Sequence, residues 1–272
     1  MNDSVILGDV SLSSDLKSGK LDPNWFDACA LNSQYNARLL EEWHTGRTLA
    51  KAAARKLYRR IFRPGSKYVP AVAYNGLLVF DRPDVNGGGL WFAPDFSRAL
   101  LHFGIGKCKR IFDFCAGPGY IGFFLLGSGF CESLALSDIN PEVIAMARHT
   151  IAYNGIEHLA DVYTSDVLEQ IPAGERWDLV VANSPVVPSY EVKRANIIDY
   201  DLTGHLHERF YASVKKFMNP GGFVLTLHTR RDSSVEFFRP MIEAGGGRMI
   251  DSIIRKDFRG CESDRYYLLS QW

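Results

Sequence analysis

Paired cysteine, net charge and long apolar runs are all scarce in this 272-residue sequence. The five cysteines (Cys29, Cys108, Cys115, Cys131 and Cys261) are odd in number and scattered. They form no C-x-x-C pair and no cysteine–histidine cluster at metal spacing, which argues against a disulfide framework and against any bound metal. Lys+Arg and Asp+Glu stand at 31 each, so no global field recruits nucleic acid or an anionic membrane. That balance favours a small-molecule substrate, with nucleic acid a less favoured partner and a membrane excluded. No apolar run approaches the roughly 18–20 residues of a membrane span, and the first ten residues lack the basic and apolar regions of a secretion signal. A reduced, cytoplasmic setting is expected, and nothing in the sequence bears on oligomeric state.

What is present has an α/β order. At 46% hydrophobic and 23% charged residues, the chain can bury a full core. Residues 1–22 are polar and read as a flexible segment. Residues 23–89 read as a cap: two or three helices carry Phe26, Leu31, Leu39, Trp43, Leu49 and Leu57, and a hairpin over 68–81 turns at Asn75-Gly76. Gly87-Gly88-Gly89 then supply a hinge. A basic run from Lys51 to Lys67 reads either as a nucleic-acid surface or as the solvated face of an amphipathic helix. Residues 90–272 form the main domain, entered through a helix for which Asp95 is a candidate N-cap.

The chain is organised around residues 111–122. An apolar strand containing Asp113 runs into Gly117, Gly119 and Gly122, spaced G-x-G-x-x-G, with Cys115 and Tyr120 in the same turn and an apolar helix directly after. Glycines there let backbone approach a ligand, and the helix N-terminus offers unpaired N–H groups. Such turns also arise for steric reasons alone. A second strand ends in Asp138, placed for a ribose hydroxyl, and Asn140-Pro141-Glu142 opens a helix in the order cap, proline, acid.

Asp-Phe-Cys-Ala-Gly-Pro-Gly together with Ser-Asp-Ile-Asn-Pro resembles the cofactor motifs of class I S-adenosylmethionine-dependent methyltransferases. The resemblance runs from about Phe92 to Leu227. It implies a Rossmann-like, seven-stranded sheet and an enzyme using S-adenosylmethionine. The acid–glycine turn (Asp113, Cys115, Gly117, Gly119, Tyr120) would hold the methionine end, Asp138 and Asn140 the ribose and adenosine, and Asp166 the adenine. Trp177 to Ala182 is a continuous apolar run, as in a buried parallel strand, and Asn183-Ser184-Pro185-Val186 sits at its C-terminal end. This is similar to the Asn-Pro-Pro-Tyr signature of amide and exocyclic-amine N-methyltransferases. In that signature the Asn side chain and the next carbonyl accept hydrogen bonds from the target amine, so Asn183 and Ser184 are the candidate catalytic pair.

Two departures stand out. Ser184 replaces the first proline, and Val186 replaces the aromatic platform, leaving Pro185, Val186 and Tyr190 as the acceptor wall, with Tyr190 the candidate for the missing aromatic. Methyl transfer to nitrogen is the leading expectation. A cyclase, in which the cofactor's own amine expels methylthioadenosine and leaves azetidine-2-carboxylate, is the alternative, and a non-catalytic S-adenosylmethionine-binding protein a second one. His205 and His207 suggest metal ligands or a base, but with no third ligand nearby they read as loop or helix-start residues. A strand near 223–227 and a hairpin of 250–254 with 266–269 would complete the sheet.

Overall fold

A computed structural model of the chain describes residues 68–82, 92–187, 200–256 and 262–272. The expected helices over 23–62, the basic run, the glycine hinge and Tyr190 lie outside the described residues.

Strands β1 (Val69–Tyr74) and β2 (Leu77–Asp81) form the expected hairpin. Asn75 (φ 48°) and Gly76 (φ 87°) take the left-handed conformations that a tight two-residue turn requires. The main sheet contains β3 (Cys108–Phe114), β4 (Cys131–Asp138), β5 (Ala160–Thr164), β6 (Trp177–Ala182), β7 (Met218–Thr229), β8 (Arg248–Lys256) and β9 (Glu262–Gln271). Its order is β5-β4-β3-β6-β7-β9-β8. The first five strands are parallel, and β9 runs antiparallel to both β7 and β8. Helices are α1 (Ala93–His102), α2 (Tyr120–Gly127), α3 (Pro141–Asn154), α4 (His205–Val214) and α5 (Val235–Ala244). Among the described residues no helix is long and apolar enough to cross a membrane.

Parallel strands covered on both faces must be apolar throughout, and these are. Ile111, Phe112, Leu134, Leu136, Leu179, Val180, Val181, Val224 and Leu225 are essentially inaccessible to solvent. One face of the sheet packs Phe112 on Trp177, with ring centroids 3.8 Å apart, and Phe114 on Phe210 of α4 at 4.4 Å. The other packs Phe123, Leu125 and Phe96 beneath α1 and α2. At the N-terminal edge, Arg110 forks onto Glu175 at 2.8 and 2.7 Å and onto Asp161 at 2.7 Å, a network remote from the strand tips.

Helix termini follow local chemistry. Asn140 caps α3, its side-chain oxygen accepting the Glu142 N–H at 2.9 Å, and Gly155 (φ 65°) closes the other end. The expectation for Asp95 is corrected. Helix α1 begins at Ala93 with Phe92 as N-cap, and Asp95 lies buried in the first turn, bound by Arg98 and Arg255 instead of capping. Two guanidiniums supply stronger partners than orphan N–H groups. The β1–β2 hairpin is stitched to α3: the Phe80 N–H donates to Thr150 Oγ1 at 3.0 Å, and Asn154 exchanges hydrogen bonds with both backbone groups of Leu78.

Candidate functional site

Strand order reverses between β3 and β6, so the crevice above their C-terminal tips is the natural ligand site of an open parallel sheet. Asp113 belongs to β3 and pairs with Leu136 on one side and Val181 on the other, which leaves its carboxylate fully buried. One oxygen accepts the Gly122 N–H at 2.8 Å. The other has no hydrogen-bond partner among the described residues. Burial pushes the group up to about 7; the Gly122 N–H opposes the shift and neighbouring Asp138 adds to it.

The turn after Asp113 is built from left-handed residues: Cys115 (φ 54°), Gly117 (φ 55°) and Gly119 (φ 88°). A Cβ on Gly119 would meet Leu136 and Phe123 at 2.6 Å, and one on Gly122 would lie 2.9 Å from Leu134 and 3.0 Å from Asp113 Oδ2. Close packing of turn on strand therefore requires glycine at both. Tyr120 follows, buried, with its hydroxyl donated to Asp81 of β2, so that side chain ties the turn to the hairpin.

Asp138 accepts the Gly117 N–H at 2.9 Å through Oδ2 and the Asn140 N–H at 2.9 Å through Oδ1. Burial still raises it, against those two N–H groups and that of Ile139. Asp166 lies at the mouth beyond β5. Its carboxylate pairs with Arg209 of α4 at 3.0 Å, and its N–H donates to Gln170.

The register of β3 on β6 pairs Phe114 with Ala182, which sets Asn183 beside Cys115 at the tips of adjacent strands. Asn183 is half-buried, and its side chain engages no partner among the described residues. Pro185 and Val186 follow, half-buried, and Val186 bridges to Tyr200 as the chain returns.

One arrangement was missed by the sequence reading. Ser184 Oγ lies 2.8 Å from His207 Nε2, and His207 Nδ1 lies 2.8 Å from Asp201 Oδ2. All three side chains are buried. Asp201 also accepts the His207 N–H at 3.2 Å, and its own N–H donates to the Val186 carbonyl at 2.8 Å. Burial alone would raise Asp201, but the hydrogen bonds and charge of His207 outweigh it and hold the carboxyl below its usual range. Beneath lies His228, stacked on Phe238 at 3.9 Å and bonded to Thr226 at 2.7 Å. Burial, then the nearby His207 charge, depress it well below the ordinary histidine range. His205, by contrast, is an exposed first residue of α4 behind the Gly204 N-cap, as a helix-start role implies. The available signal for His207 was the hydroxyl that replaces proline at 184.

A sulfonium–ammonium ligand needs negative charge at one end of its cradle. Asp113, Asp138 and Asp201 all act on the Cys115 thiol, which burial first and these carboxylates next push well upward. Three acids thus converge on one end of a glycine cradle, and one of them carries an orphaned, fully buried oxygen. Negative charge concentrated in a dry site fits a cation; it would repel a pyrophosphate. These residues fit S-adenosylmethionine.

The family model described as methyltransferase small domain matches residues 92–232. Among relatives, the chain is 26% identical over 137 residues to the release factor glutamine methyltransferase of Clostridium acetobutylicum, covering 46% of this chain and 48% of that one. It is 32% identical over 107 residues to the ribosomal RNA small subunit methyltransferase C of Actinobacillus pleuropneumoniae, covering 39% and 30%. The chain spans about half or less of the length of these relatives. The T. thermophilus 16S rRNA N2 G1207 methyltransferase, solved with AdoMet and guanosine, shares the fold at a TM-score of 0.53 and 16% identity, covering 76% of this chain and 51% of that one. The expected small-molecule partner, with nucleic acid less favoured, is corrected by these relatives, which are named for RNA and protein acceptors. Net charge averages over a whole surface and is silent about one cleft. With the family model covering more than half of its length over the acid–glycine turn and the Asn-Ser-Pro strand end, the chain belongs to the methyltransferase small domain family, an S-adenosylmethionine-dependent class of enzyme.

Proposed function

We propose that this chain transfers the methyl group of S-adenosylmethionine to a planar nitrogen, a carboxamide or an exocyclic amine, carried by a macromolecule of the translation apparatus. The observation that carries the reading is the strand register: Asn183, with an unengaged amide, stands beside the acid–glycine turn. The relatives named for release factor and ribosomal RNA support the acceptor class.

When bound, the cofactor supplies a methyl group on an excellent sulfonium leaving group. Positioning and exclusion of water are then the protein's main contributions. Asp113 would receive the ligand's ammonium, the Gly117–Gly119 turn its backbone, Asp138 the ribose, and Asp166 the adenine edge. Asn183 Oδ1 and the Ser184 carbonyl would accept the acceptor's N–H groups and turn its lone pair toward the methyl carbon.

The test uses purified protein, methyl-labelled S-adenosylmethionine, and three acceptor pools from a strain lacking the gene: ribosomal subunits, total ribosomal protein and release factor. Label in one pool, with stoichiometric adenosylhomocysteine, is expected. Label in none, or methylthioadenosine released without any acceptor, overturns the reading.

A further inference from the structure

We propose that Ser184, His207 and Asp201 form a proton relay that receives the proton shed by the acceptor nitrogen. The inference rests on the N-methyl transfer reading and adds to it a route for the proton.

Amide and exocyclic nitrogens are poor nucleophiles, because their lone pairs are delocalised. Attack becomes easier if an N–H proton leaves as the new bond forms. In the step, the nitrogen–carbon bond forms while the carbon–sulfur bond breaks with its electron pair on sulfur. The nitrogen's proton passes to Ser184 Oγ as the serine's own proton passes to His207 Nε2. Two transfers leave the serine hydroxyl restored, so the net change is one proton lost from nitrogen and one gained by the imidazole opposite the Asp201 carboxylate.

The geometry sets these directions. An ionised Asp201 can only accept, so whenever the His207 ring carries a single hydrogen that hydrogen belongs at Nδ1, 2.8 Å away, and Nε2 is left to accept from Ser184 Oγ at 2.8 Å. The carboxylate then stabilises the imidazolium when it forms. The relay is also in the right place. Ser184 directly follows Asn183, Asp201 acts on Cys115 in the cofactor turn, and the Asp201 N–H is anchored on the Val186 carbonyl.

Among the described residues, the titratable groups facing His207 are Asp201 on one side and His228 of β7 on the other, with Tyr266 of β9 behind His228. Burial, and then His207, depress His228 well below the ordinary histidine range, so it holds a proton poorly and is the weaker base of the two. A buried carboxylate–imidazole–hydroxyl chain stabilises a fold poorly compared with apolar residues of the same volume. Its cost makes sense if it moves a proton. In the resembled signature, proline occupies position 184 and offers no hydroxyl.

The experiment measures kcat against pH on the acceptor pool that wild type methylates, for Ser184→Ala, Ser184→Thr, His207→Gln and Asp201→Asn, with S-adenosylmethionine affinity measured by calorimetry. Expected in Ser184→Ala and His207→Gln are near-wild-type cofactor affinity and kcat lowered by about 10²–10⁴-fold, and Asp201→Asn, which removes the carboxylate opposite the imidazole, should lower kcat as well. The acid limb of the profile should vanish in His207→Gln, and Ser184→Thr, which keeps the hydroxyl, should recover most of the rate. A His207→Gln enzyme with wild-type kcat and an unchanged profile overturns the relay while leaving methyl transfer intact. A wild type that methylates no pool overturns the methyl-transfer reading and the relay with it. Independently of any acceptor, nitrogen NMR of labelled histidine should find the His207 hydrogen on Nδ1 and an Nε2 resonance that moves in Ser184→Ala. A hydrogen on Nε2 in the neutral ring overturns the proposal.

Discussion

Asparagine at position 113 keeps the shape of the buried carboxylate and removes its charge, which isolates what that charge costs the ligand-free protein. Its carbonyl oxygen can still accept the Gly122 N–H, now 2.8 Å from Asp113 Oδ2. Burial pushes Asp113 up to about 7, whereas an unfolded aspartate titrates near 3.9. Between these values the native chain holds a proton that the unfolded chain has shed, so stability falls as pH rises through that window and stays low above it. The full effect is on the order of 4 kcal/mol, from about three pKa units at ~1.36 kcal/mol each. Between pH 5 and pH 8 the portion crossed is about 3 kcal/mol, or roughly 6–12 °C in melting temperature for a domain of this size. Melting curves of wild type and Asp113→Asn at half-unit steps of pH, with and without S-adenosylmethionine, check this. The variant's advantage should grow by that amount from pH 5 to pH 8 without ligand, and ligand should stabilise only wild type. Parallel pH curves for the two proteins would refute the argument, because Asp113 would then be ionised in the fold throughout.

The same carboxylate predicts a pH dependence of binding. A cationic ligand favours the ionised form, so calorimetric affinity for S-adenosylmethionine should tighten from pH 5 to about pH 7, where Asp113 is set to ionise, and level off above; a flat profile removes Asp113 from the site. Asn183→Ala should leave cofactor affinity nearly unchanged and cut kcat by about two orders of magnitude or more, and unaltered turnover would exclude Asn183 from the mechanism. Gly122→Ala places a Cβ 2.9 Å from Leu134 and 3.0 Å from Asp113 Oδ2, so it should weaken cofactor binding at least tenfold, with native affinity the contrary outcome.

The sheet was legible because parallel strands must be apolar along their whole length. Ile111 to Phe114, Leu134 to Leu136 and Trp177 to Ala182 announce themselves, and the glycines mark the turn that only they can make. The capping of α3 was equally plain, since Asn140, Pro141 and Glu142 are local in sequence. Asp95 misled because its partners, Arg98 apart, come from Arg255, 160 positions away. His207 escaped for the same reason: its meaning depends on Ser184, 23 residues earlier, and on the turn that brings Asp201 back beside Val186. Spacing rules see neighbours along the chain, and this constellation is assembled by the sheet.

The hydrogen bond from Asp201 to the Val186 carbonyl has a consequence for how such enzymes diversify. It clamps the outgoing and returning strokes of the polypeptide to one another immediately next to the chemistry. Because both atoms of that fastening belong to the main chain, the side chain at position 186 can be exchanged by evolution or by an engineer without unseating the carboxylate that follows it.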